Sequence, residues 1–279
     1  MSGTGTNQFG LAGKVALVTG AGSRAEGIGN GRAAAALLAD AGARVAVVDS
    51  VRERAEGTRE LIERAGGDCV VVEADVTDPA ACRAAVSQVA DLWGRVDVLF
   101  NNVGIVGPEA TVEDVDLETW DLCLRVNLTS MVLMSRFVIP HMRIAGGGSI
   151  INMGSLAGMR GGHPSIAYSV SKGAVVNLTR AMAVAHGPAG IRVNSVAPGL
   201  VHTPLVSSNG LSEEARDRRR RLAPLQKEGT GWDVGRAVVF LASEQSSWIT
   251  GVTVPVDAGL TSLMGISDQL TITTAETRN

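Results

Sequence analysis

Aromatic side chains are scarce in this chain of 279 residues: four Phe, four Trp and one Tyr, 3% in all. Ala, Val and Gly dominate instead. Small, β-branched interiors of this kind suit parallel sheets covered by helices. Histidine is also rare. His141, His163, His186 and His202 show no metal-ligand spacing, so no catalytic metal is expected. Cys69, Cys82 and Cys123 match no metal or redox pattern, and an odd number cannot all pair within one chain. Reduced thiols in a reducing cytosol are expected. No apolar run approaches the ~20 residues of a membrane helix. The first ten residues lack the basic patch and apolar stretch of a leader. These absences point to a cytoplasmic chain with no membrane partner. Excess positive charge is missing too, with 25 Lys and Arg against 28 Asp and Glu, which speaks against a nucleic-acid partner.

What is present is a rhythm. The chain is 45% hydrophobic, ample for a large core. Short β-branched runs (14–19, 43–48, 69–74, 96–100, 149–153, 191–196 and 252–256) alternate with helix-like stretches (28–41, 52–65, 79–93, 117–144, 165–186 and 232–243). Such alternation predicts βαβ units, hence a Rossmann-type α/β fold. Its doubly wound parallel sheet has about seven strands and helices on both faces. No linker or internal repeat interrupts the pattern. One domain spans 1–279, with a core at about 11–259 and a tail without clear periodicity at 260–279.

The first strand runs into a glycine-rich turn from Thr19 to Gly29, and a helix follows at once. In that context Gly20, Gly27, Ile28 and Gly29, with Ser23 and Arg24, read as a cradle for a pyrophosphate at a helix N-terminus. Asp49, at the end of the second strand, can accept from a ribose 2′-OH and repels a 2′-phosphate, favouring NAD over NADP. Arg24, in the glycine loop, argues the other way. Asp75-Val76 ends the third strand, where an acid can bond an adenine amino group. Asn102-Val103-Gly104 ends the fourth, where small residues let adenosine approach the sheet.

Tyr168 and Lys172 stand at i and i+4 on one helical face. An ammonium beside a phenol favours the phenolate and makes tyrosine a workable acid/base. The same spacing also occurs on plain helix surfaces. Ser155 follows the fifth strand on the ligand side and could hold a substrate oxygen, or be a turn serine. Asn127 sits inside a long helix, where its side chain or a loosened carbonyl could hold a water. A satisfied buried amide is the other reading.

In order along the chain, Thr19-Gly20 with Gly27-Ile28-Gly29, Asp75, Asn101-Asn102-Val103-Gly104, Asn127, Ser155, Tyr168, Lys172 and Asn194 to Pro198-Gly199 resemble the short-chain dehydrogenase/reductase family. The resemblance covers about 11–259. It implies a nicotinamide-dependent oxidoreductase with Tyr168 as catalytic acid/base. Ser155 would orient the substrate oxygen. Lys172 would bind the nicotinamide ribose and depress the Tyr168 pKa, and Asn127 would anchor a water. Pro198, Gly199, Val201 and Thr203 would border the nicotinamide. It also implies a substrate lid at 200–230 and a homo-oligomer, dimer or tetramer. The glycine loop departs from the family pattern: six residues, not three, separate Gly20 from Gly27. Val103 replaces the family's usual alanine.

The leading expectation is hydride transfer between NAD(H) and a small-molecule secondary alcohol or ketone. The alternative is an NADP-dependent 3-oxoacyl-acyl-carrier-protein reductase, for which Arg24 and the basic run Arg218 to Arg221 speak. A non-catalytic dinucleotide-binding regulator is third, opposed by the intact Ser155, Tyr168 and Lys172.

Overall fold

In the computed structural model, which describes residues 9–207 and 210–263, short strands with both faces covered set the architecture. The strands are β1 (Val15–Thr19), β2 (Arg44–Asp49), β3 (Cys69–Glu73), β4 (Val98–Asn101), β5 (Gly148–Met153), β6 (Ile191–Pro198), β7 (Val201–His202), β8 (Gly229–Thr230) and β9 (Thr253–Val256). The helices are α1 (Asn30–Asp40), α2 (Arg52–Arg64), α3 (Pro79–Trp93), α4 (Leu117–Leu124), α5 (Ser130–Ile144), α6 (Ile166–His186), α7 (Pro204–Ser207), α8 (Glu213–Leu222) and α9 (Gly231–Ala242). Seven strands form one parallel sheet in the order β3-β2-β1-β4-β5-β6-β9. This is the doubly wound sheet expected from the alternation.

Period-two alternation divides each strand between two cores. Val15 and Leu17 join α3 and α5 residues such as Val86, Met134 and Val138 on one face. Ala16 and Val18 join Ala34 and Leu38 of α1 and Val238 of α9 on the other. All of β1 is buried, as a central strand flanked by parallel neighbours must be.

The long helical stretch 117–144 carries a π turn at Arg125–Thr129, between α4 and α5. Contrary to the expectation from raw apolar runs, Leu117–Ile144 has the length and apolarity of a membrane span. Half of its most apolar window is buried. Met131, Met134, Val138 and Met142 lie at or below 1% exposure, so this face belongs to the core.

The order of strands reverses between β1 and β4, and a crevice opens at their carboxyl ends. Beyond β6, β7 pairs with β8 (Val201 with Gly229, His202 with Thr230). That pairing closes the segment carrying α7 and α8 into a flap beside the crevice. Residues 208–209 of the expected lid, and 264–279 of the expected tail, lie outside the described residues.

Candidate active site

One continuous cavity of about 700 Å³ runs along the carboxyl edge of the sheet, within the range of ligand clefts. At one end it is lined by Gly20, Ser23, Arg24, Gly29, Asp49, Asp75 and Val76. Asn102, Val103 and Gly104 form its middle. Ser155, Tyr168 and Lys172 line the other end, with Pro198, Gly199, Val201 and Thr203. Three expected residues stand apart from this wall: Gly27, Ile28 and Asn127.

The first two mark a register error in reading the glycine loop. α1 starts at Asn30, with Gly29 as its N-cap. The glycine that must lack a side chain is Gly31: a Cβ there would stand 2.3 Å from the Gly20 carbonyl oxygen and 2.5 Å from Asn102 Nδ2. The helix can approach the strand only through Gly31. The structural pair is therefore Gly29 and Gly31, and the whole of 21–28 is loop. Gly27 faces away toward the flap, where a Cβ would be 3.4 Å from Pro204 Cγ. Its carbonyl accepts from Arg32 Nη1 at 3.2 Å.

Asp49 reaches back over this loop. Its Oδ2 accepts from the Gly22 N–H at 3.0 Å, and its Oδ1 from Val51 N–H at 3.2 Å. Each carboxylate oxygen keeps further acceptor capacity toward the cavity. Arg24 is exposed. Asp75 is an Asx turn, its Oδ1 accepting from Thr77 N–H at 2.9 Å and Thr77 Oγ1 at 2.8 Å. Asn102 lines the cavity, but its Nδ2 donates to the Thr19 and Gly20 carbonyls at 3.1 and 2.9 Å. It ties β4 to the turn after β1. Asn30 was not foreseen. It lines the cavity in the first turn of α1, and its buried Oδ1 has no hydrogen-bond partner. A buried amide oxygen left unmatched is costly, and a bound ribose hydroxyl would satisfy it. The bare glycine turn, the helix N-terminus, Asp49 and Asn30 fit a dinucleotide.

At the other end α6 is capped by Ser165, whose Oγ accepts from Tyr168 N–H at 3.4 Å and donates to Val106 O at 3.1 Å. The cap fixes Tyr168 in the first turn, at the cavity wall. Gly158 brings the opposite wall in. A Cβ at Gly158 would stand 2.4 Å from the Lys172 carbonyl, so only glycine lets the turn bearing Ser155 pack on α6. Ser155 is thereby brought to the same cavity wall as Tyr168, where its hydroxyl favours the phenolate. Lys172 is 2% exposed, donates from Nζ to Met153 O at 2.7 Å, and lies 5.8 Å from the Tyr168 ring centroid.

The electrostatics depart from expectation. Burial holds the Tyr168 phenol above its ordinary pKa, and the Ser155 hydrogen bond only partly opposes this. Burial also pulls Lys172 down to about 8, opposed by Cys123. Desolvation is the largest cause of the phenol's rise, and Lys172 is not among the groups that move it in this state. Asn127 is corrected as well. Its Oδ1 accepts from Ile105 N–H at 2.8 Å, while its Nδ2 donates to Ile105 O and Ser171 Oγ, both at 2.9 Å. Both Nδ2 hydrogens are spent on protein, which makes the side chain chiefly a satisfied buried amide. Its place in the π turn retains the carbonyl alternative.

His163 packs against Tyr168 with ring centroids 4.8 Å apart and the planes tilted by 39°, and it lines the cavity. Its Nδ1 accepts from Ser165 N–H at 3.1 Å. No spacing rule links position 163 to 168, since the contact is made by the loop before the helix. The sequence shows a second glycine two residues after Gly29, but not which of the two meets the turn after β1.

Similarity to known proteins agrees with this geometry. A family model described as enoyl-(acyl carrier protein) reductase matches residues 23–261. Cis-4-hydroxycyclohexanecarboxylate dehydrogenase of Sinomonas cyclohexanicum is 38% identical over 253 residues, 91% of this chain and 98% of that protein. This chain belongs to the short-chain dehydrogenase/reductase family. Meso-2,3-butanediol dehydrogenase of Serratia marcescens is 36% identical over 252 residues, 90% of this chain and 96% of the relative. A crystal structure from Burkholderia xenovorans, assigned to the short-chain dehydrogenases/reductases, superposes with a TM-score of 0.88 at 38% identity. It covers 92% of this chain and 99% of that one. As a short-chain dehydrogenase/reductase, the chain is an oxidoreductase of CH–OH groups that uses a nicotinamide dinucleotide.

Proposed function

We propose that this chain is an NAD-dependent dehydrogenase of a small secondary alcohol, with Tyr168 as its acid/base. The observation that carries the reading is the Ser155–Tyr168 hydroxyl pair, set beside Lys172 in the wall of the cavity that Asp49 closes at its far end. Two relatives support the substrate class, being named for cis-4-hydroxycyclohexanecarboxylate and meso-2,3-butanediol, both secondary alcohols.

Gly20, Gly29 and the first turn of α1 would hold the pyrophosphate, Asp49 the adenosine ribose, and Thr203 with Pro198 and Gly199 the nicotinamide end. NAD, when bound, supplies the hydride acceptor. The protein does the rest. Ser155 Oγ donates to the substrate oxygen and fixes its distance from the phenol. Tyr168 Oη takes the alcohol proton in oxidation and returns it in ketone reduction. Lys172 holds positive charge near the phenolate formed in between. The hydrophobic flank formed by Val106, Leu200, Leu205 and Leu260 limits water around the carbinol carbon.

Asp49 sets the cofactor preference in this reading. A carboxylate accepts from the 2′-OH of NAD and repels the 2′-phosphate of NADP. Initial rates with each cofactor and a panel of secondary alcohols test it. NAD is expected to give the higher kcat/KM. Asp49→Asn keeps an acceptor for Gly22 but removes the charge, and is expected to shift the NAD/NADP ratio toward NADP by about tenfold or more. A wild-type preference for NADP would hand the decision to Arg24, and with it the acyl-carrier-protein reductase reading.

A further inference from the structure

The basic run Arg218 to Arg221 is not uniform in three dimensions. Arg221 pairs with Asp217 at 2.7 Å, and Arg220 pairs with Asp217 and Glu213 at 3.0 and 3.3 Å. Arg216, one turn earlier, grips Glu228 at 2.5 Å and Glu213 at 3.1 Å. Arg218 is exposed. Arg219 is different. Its guanidinium turns inward and lines the cavity, and among the described residues it forms no ion pair. Its one hydrogen bond is a long one, from Nη2 to Val201 O at 3.4 Å. Glu213, Asp217 and Glu228 thus bond to its neighbours, and Glu228 acts on Arg219 only through space, so Arg219 keeps most of its five donors for the cavity.

The cavity's two lining acids, Asp49 and Asp75, sit at the glycine-loop end, beside Arg24 and Arg54. At the Tyr168 end the lining charges are Lys172, Arg160 and Arg219, with no carboxylate. Arg160 is itself tethered, donating to the Thr261 carbonyl on the segment that borders the cavity beyond β9. A partly buried, unpaired guanidinium in a site walled by Leu200, Leu205 and Leu260 is a poor arrangement for a wholly apolar alcohol. Its fork geometry matches a carboxylate bidentately.

We infer that the substrate is a secondary alcohol carrying a carboxylate, that is a hydroxy acid, and that Arg219 binds its carboxylate while Tyr168 and Ser155 receive its hydroxyl. This rests on the dehydrogenase reading above. The flap helix α8 then selects an anionic substrate through one side chain.

The test uses cyclohexanecarboxylate and its neutral carboxamide as ligands of the NAD-loaded full chain, by calorimetry, alongside oxidation of neutral secondary alcohols. The carboxylate is expected to bind and to inhibit competitively against the alcohol, and the carboxamide to bind more weakly. Arg219→Gln is expected to weaken the carboxylate about 10- to 100-fold, the range of a charge-assisted pair. Carboxamide binding and NAD affinity should fall far less than carboxylate binding. Arg221→Gln, an outward ion-paired control, should change none of them. Equal loss of NAD affinity in Arg219→Gln would overturn the inference, since the arginine would then serve the cofactor's pyrophosphate. Equal binding of carboxylate and carboxamide to the wild type would also overturn it, leaving the dehydrogenase reading intact if neutral alcohols turn over. Arg219-dependent carboxylate binding without turnover of any alcohol would sustain the anion site and defeat the dehydrogenase reading.

Discussion

Tyr168→Phe lowers kcat for alcohol oxidation by about 10²- to 10⁴-fold, the contribution of a positioned general acid/base, while NAD affinity stays at the wild-type value. The change deletes one oxygen. The ring that packs against His163 at 4.8 Å remains, and so does the Ser165 cap, which bonds the backbone N–H at position 168. Folding is therefore preserved, and the loss belongs to proton transfer. The high resting pKa of the phenol adds a direction. Burial keeps Tyr168 protonated at neutral pH, so ketone reduction finds its acid ready and oxidation must first form the phenolate. Steady-state kinetics beside a calorimetric NAD titration check the expectation. An unchanged kcat would remove Tyr168 from the chemistry.

The second large effect concerns Lys172, which joins function to a stability penalty. In the fold its pKa is pulled down to about 8 from an ordinary 10.5, first by burial. A folded-state value below the unfolded one means that the unfolded chain holds the proton more tightly. The penalty is full below pH 8 and disappears as pH rises toward the ordinary value. Its size is about 3 kcal/mol on the linkage scale. The hydrogen bond from Nζ to Met153 O returns about 1 kcal/mol of this. Lys172→Met is thus expected to raise stability at pH 7 by about 1–2 kcal/mol and to lose turnover by orders of magnitude. The advantage of the variant shrinks between pH 8 and the ordinary lysine range. Urea unfolding at pH 7 and pH 10 measures it. A variant less stable than wild type at pH 7 would show that the Met153 bond outweighs desolvation.

Much of this was readable from spacing. Strand–helix alternation gave the doubly wound sheet because parallel strands must be buried on both faces, and the chain offers β-branched runs at that rhythm. Ser155, Tyr168, Lys172 and Asp49 could be found because each sits at a strand end or a helix start. Four things could not. The register of the glycine turn depends on a backbone approach, which Gly31 makes and Gly29 does not, and no one-dimensional pattern reports a 2.3 Å clash. Asn127 looked available because its partners, the backbone of Ile105 and the Ser171 hydroxyl, are 22 and 44 residues distant in sequence. The run Arg218 to Arg221 looked uniform because the pairing of Arg220 and Arg221 with Asp217, and the place of Arg219 in the cavity wall, are set in three dimensions. The sign of the Tyr168 shift was lost for a related reason: spacing shows the ammonium but not the burial that overrides it.

The most direct test of the account is the path of one hydrogen. The protein is incubated with NAD and a secondary alcohol deuterated at the carbinol carbon, and cofactor and product are read by mass spectrometry. The account expects ketone and singly deuterated NADH in equal amounts, with the hydroxyl proton going to solvent through Tyr168. Deuterium appearing in water, or ketone formed without labelled NADH, would contradict it.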